Sequence, residues 1–97
     1  MRKVTTSTGF VCELDEERLD DMRFVDVLAV VVDPKARPFD KITGVSTLLT
    51  MLLGPEVKKA LYDHIGSFHG GRVPRAELEK ALEEIMNGAG EDAEKNS

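Results

Sequence analysis

Between Gly66 and Glu77 the chain comes nearest to a metal-binding spacing. With Gly71 set at the sixth place of an EF-hand loop, Val73 takes the eighth and Glu77 the twelfth, the residue types such a loop uses there. The ligand places do not follow, because the first, third and fifth are Gly66, Phe68 and Gly70, none of which has a side-chain oxygen. A hard cation would find almost nothing to coordinate, and a glycine-rich turn is the simpler reading. His64 and His69 offer imidazoles, which ligate metals and shuttle protons. Their acidic neighbours Asp63 and Glu77 make no recognised ligand spacing, and the single cysteine, Cys12, is far away in sequence.

Nucleophilic and phosphate chemistry fare no better. A reactive thiolate needs a cationic neighbour or a helix N-terminus, whereas Cys12 stands between Val11 and Glu13 and reads as a small core residue. The acids Asp15, Glu16, Glu17, Asp20 and Asp21 imitate a carboxylate dyad but are more simply a solvated helix start. No Gly-Lys-Ser/Thr follows the glycines of FHGGRVP, so they form no phosphate loop. The expectation is a protein that is not an enzyme, with no catalytic, cofactor-binding or metal-binding residues and no cofactor.

The elements that hold these residues centre on Ile42 to Gly66. Apolar residues recur there at helical spacing on both sides of Gly54-Pro55, which predicts two helices meeting at a sharp corner. Asp40 is placed to cap the first of them, and Gly44 is a mild defect within it unless a neighbour approaches closely. Lys3 to Leu14 is rich in Val, Thr and Phe around Ser7-Thr8-Gly9 and predicts a hairpin, with Phe10, Cys12 and Leu14 on the face toward the helices. A helical turn is expected from Asp15, then a helix from Asp20 or Asp21 that ends before Pro34, with Leu19, Met22, Val25, Leu28 and Val32 on one face and Phe24, Val27 and Val31 beside them. Composition alone suits a buried strand from Met22 to Val32 as well; the acidic cap and the spacing favour helix. Pro74 opens a last helix with a stripe of Leu78, Ala81, Leu82 and Ile85, which Gly88 and Gly90 are expected to stop.

The expected fold is therefore α+β and mainly α, an N-terminal β-hairpin followed by about four helices in a small bundle. Residues 1–88 make one globular domain, hairpin over 1–14 and helical over 15–88, and 89–97 form a disordered polar tail. A formal charge of −5 argues against nucleic acid as the main partner. The longest nearly uninterrupted apolar run, Phe24 to Val32, contains Asp26 and is about half of what a bilayer requires, so no membrane role is expected. One cysteine and no signal peptide at the start fit a reducing cytoplasm. Met22 to Val32 and Leu48 to Leu53 together hold more aliphatic surface than short elements readily hide in a small chain, which points to a partner.

The order of three pieces carries a resemblance. TGFVCELDEERLDDMRFVDVLAVV, then STLLTMLLGPEVKKALYDHI, then GRVPRAELEKALEEIM with a polar tail ending KNS, resembles the short tail assembly chaperones of long-tailed, siphovirus-type phages and prophages of Gram-positive bacteria. The recognisable pieces are LDDM at Leu19 to Met22, LLG with the following K-A-L-Y-D-H run at Leu52 to His64, and GRVP at Gly71 to Pro74. The valine-rich first helix and FHGG depart from the usual pattern.

The resemblance implies a mostly helical protein of the host bacterial cytoplasm, not carried in the mature virion, that binds and solubilises the tape measure protein and promotes tail tube assembly. It implies further partners in the major tail tube protein and in a longer form made by programmed frameshift, of which this chain is the short form; a homo-oligomer is compatible with it. Phe24, Val31, Thr47, Met51 and Leu53 are the expected partner contacts, as apolar or adjacent positions on faces taken to be uncovered. Two other readings compete: a metal-sensing module built on the Gly66 to Glu77 loop, and a small phage regulatory protein that dimerises through the valine-rich helix.

Overall fold

The computed structural model describes the backbone of residues 2–95 and the side chains of residues 2–88. Strand β1 (Arg2–Thr5) pairs antiparallel with β2 (Val11–Leu14), placing Val4 opposite Cys12 and Arg2 opposite Leu14. The connection closes because Gly9 takes φ +92°, a backbone angle that costs glycine little, and donates its N–H to the Thr6 carbonyl at 2.9 Å. Val4, Cys12 and Leu14 are buried and Phe10 packs against them from the rim, the face expected from the alternation.

Two aspartates divide the acidic segment that follows. The Asp15 carboxylate accepts from the Glu17 N–H at 3.1 Å and starts a short 3-10 helix, Glu16–Asp20. Asp21 accepts from the Arg23 N–H at 2.9 Å and starts α1 (Met22–Val32). Such caps satisfy amides that a helix start leaves unpaired, each worth about 1 kcal/mol. Helix α1 ends at Asp33, before Pro34, as expected.

Helix α2 (Pro38–Leu53) begins earlier than a cap at Asp40 implies. Pro38 takes the first helical position, where its missing N–H costs nothing, and Asp40 lies within the first turn, 3.1 Å from the Arg37 guanidinium. At the corner Gly54 has φ +82° and Pro55 opens α3 (Pro55–Gly66). Helix α4 (Arg75–Lys95) follows Pro74 and runs through both glycines that were expected to stop it. At Gly88 a side chain is excluded by packing: a Cβ there would lie 2.8 Å from Val4 Cγ1, so this glycine lets α4 approach β1. Of the expected tail at 89–97, the backbone to Lys95 is helical, and Asn96 and Ser97 lie outside the described residues.

The core gathers around α2, whose Val45, Leu48, Leu49 and Leu52 are buried, against Leu61 and Ile65 of α3, Ala81, Leu82 and Ile85 of α4, and the inner face of the hairpin. Helix α1 contributes differently from expectation. Phe24 is buried, and Val27, Leu28 and Val31 pack beside it, while Met22, Val25 and Val32 of the expected stripe are exposed. Gly44 accounts for the rotation, since a Cβ there would meet Val31 Cγ2 at 2.6 Å and Val27 Cγ1 at 3.7 Å. Where α2 has no side chain, the two valines settle, and the rest of α1 turns with them. The result is the expected architecture, a small α+β domain with an N-terminal hairpin and a compact bundle of helices.

Candidate functional site

The same rotation leaves one flank of α1 open. Between it and α4 lies a groove of about 400 Å³, floored by Val45 of α2. Leu28, Val31 and Val32 form the α1 wall. Leu82 and Met86 form the α4 wall, and Glu79 and Glu83 stand along the same side. Those four α4 residues fall at i, i+3, i+4 and i+7, so one face of the helix presents both the apolar contact and the acidic edge.

Further apolar surface continues on α1. Val32 is 66% exposed and Met22 is 64% exposed, with Val25 also open one turn before Leu28. Scattered exposed apolar residues are ordinary in a folded protein; here several lie on one helix beside an apolar groove.

The residues expected to meet a partner divide. Phe24 and Leu53 belong to the core, so neither is a free contact, a correction to the expected exposure. A large aromatic ring on the first turn of α1 had more to gain from the interior than any valine on that helix. Val31 is half-buried on Gly44 and also lines the groove. Thr47 is exposed and its hydroxyl donates to the Thr43 carbonyl at 2.9 Å. Met51 is half-buried, and its carbonyl accepts from Arg18 Nη1 at 2.7 Å, tying the 3-10 helix to α2. Only Val31 of the five reaches the groove. Sequence reasoning missed Leu82, Met86, Glu79 and Glu83, although the stripe on α4 with acids beside it was visible.

Comparison with protein-family models, with curated proteins and with solved structures finds no match to this chain.

The residues with chemical potential hold the fold together. His64 Nε2 lies 3.1 Å from the Thr8 carbonyl and 3.2 Å from Thr8 Oγ1. Its ring sits between Phe10 and Phe68, with centroids 5.5 Å and 5.1 Å away, so α3 grips the hairpin turn. His69 reaches Glu77 at 3.9 Å across the glycine-rich turn, in which Gly70 and Gly71 have positive φ. Among the described residues no three His, Cys, Asp or Glu side chains are grouped to hold a metal ion. Lys58 Nζ donates to Ser46 Oγ at 2.7 Å and to Thr50 Oγ1 at 2.9 Å and lies over the Tyr62 ring, joining α2 to α3. Cys12 is buried, and burial pushes its thiol pKa up, away from the thiolate that reacts. Among the described residues no helix is long and apolar enough to cross a membrane.

Proposed function

We propose that this protein is a tail assembly chaperone of a siphovirus-type phage or prophage, which binds the tape measure protein, keeps it soluble in the host cytoplasm, and promotes tail tube assembly around it. The observation that carries this reading is the apolar groove between α1 and α4 with acidic residues on one edge. A holdase needs that combination: apolar surface to cover a partner's apolar surface, and charge around it to stay in solution. The resemblance carried by LDDM, the LLG to K-A-L-Y-D-H stretch and GRVP supplies the identity of the partner. On the same reading the major tail tube protein and a longer frameshifted product of the same gene are later partners in assembly.

The test is coexpression with a fragment of the tape measure protein, whose gene this reading expects beside this one. The fragment should move from the pellet to the soluble fraction and copurify with this protein. Equal solubility of the fragment with and without it would overturn the reading.

A further inference from the structure

We infer that the groove takes a helical segment of its partner that carries two basic residues one turn apart beside an apolar stripe. This rests on the proposed holdase function and adds the chemistry of what is held. Three observations point the same way. Neither strand borders the groove, whose walls are the sides of α1 and α4. Up to the last turn of α1 these helix sides have their amides and carbonyls already paired, so an extended peptide would find no continuous backbone edge to join, whereas a helix brings its own backbone bonds and needs only a side-chain surface. The floor and walls at Leu28, Val45, Leu82 and Met86 are apolar, the surface that such a stripe would cover.

The second observation is charge. Glu79 and Glu83 are one turn apart on the α4 edge, Glu79 has only the exposed Arg75 at 3.8 Å, and Glu83 has no ion pair among the described residues. The third is the end of α1. Val31 and Val32 line the groove from its last turn, where the helix dipole is negative, and that turn contains no basic residue. Two carboxylates and the last turn of α1 therefore border the same groove, and a partner with Lys or Arg at positions i and i+4 matches their charge.

Two synthetic peptides of about five helical turns test this on the full chain. They share one apolar stripe and differ at two flanking positions one turn apart, lysine in one and glutamate in the other. The lysine peptide should bind the wild-type protein and shift the amide resonances of Leu82 and Met86, with affinity falling as salt rises. Binding of that peptide should weaken about tenfold in Glu79→Lys/Glu83→Lys, and the glutamate peptide should gain on the same variant. Unchanged thermal melting of the variant shows that its fold is intact, because both side chains are on the surface.

Equal binding of the two peptides, no binding of either, or no loss in the double variant would overturn the inference. So would sedimentation showing that a second copy of the chain fills the groove. The coexpression experiment separates the two proposals: a tape measure fragment solubilised equally by the wild type and by Glu79→Lys/Glu83→Lys leaves the chaperone standing and removes the basic helix. A fragment that needs no chaperone, together with peptides that discriminate, does the reverse.

Discussion

Helix α1 has two apolar flanks that the rest of the chain treats in opposite ways. On one, Phe24, Val27 and Val31 lie against α2, and Gly44 brings the helices so close that a single added carbon would stand 2.6 Å from Val31. On the other, Leu28 and Val32 face α4 across a groove that nothing in the described chain fills. Both flanks carry aliphatic side chains, so residue type does not decide which is sealed. The difference lies in what each meets: a helix with a missing side chain, or a helix carrying glutamates that prefer water. One apolar helix can thus be sealed on one flank and open to a groove on the other.

If the α2 flank is truly core, breaking it should unfold the protein. Phe24→Ala removes a ring that is 2% exposed and should cost about 4 kcal/mol in urea unfolding, a large part of the stability of a small domain. A cost below about 1 kcal/mol would mean that Phe24 is not enclosed as described. Gly44→Leu comes next. It improves intrinsic helix propensity by about 1 kcal/mol, yet the side chain must displace Val31, and the net loss should be about 2 kcal/mol. Adding Val31→Ala makes room, so the double variant should lose less than the two single losses summed. Simple additivity would show that Gly44 and Val31 do not touch.

This contrast also shows where sequence reasoning reached and where it stopped. The hairpin, the start at Asp15, a second start at Asp20 or Asp21, the stop before Pro34 and the corner at Gly54-Pro55 were all legible, because each depends on local backbone chemistry that one or two residues dictate. The orientation of α1 was not. Where most positions on a helix are apolar, several stripes satisfy the period equally well, and the choice between Met22-Val25-Val32 and Phe24-Val27-Val31 is made by a glycine far along the chain. Gly88 failed for the related reason that a glycine near a helix end reads the same whether it terminates the helix or admits a neighbour, here Val4. The groove inherits the first ambiguity. Its α4 wall and acids could be read from spacing, but which α1 residues oppose them follows only from the packing against Gly44.

The smallest stability effect is expected on the open flank, and it gives the sharpest separation of the two. Val32 is 66% exposed in the last turn of α1, and serine has a helix propensity close to valine's, so Val32→Ser should change unfolding free energy by no more than about 0.5 kcal/mol. Binding is another matter. A partner that covers Val32 gains the transfer of its methyl groups out of water, about 1 kcal/mol, and serine forfeits it, so copurification with the tape measure fragment should weaken about fivefold. Phe24→Ala also weakens binding, but only as the fold is lost, and its defect should track the unfolded fraction as temperature rises. Val32→Ser should show the same defect at every temperature below the melt. A variant that binds as well as the wild type would mean that the partner seats elsewhere, and a variant that melts much earlier would mean that this flank belongs to the interior after all.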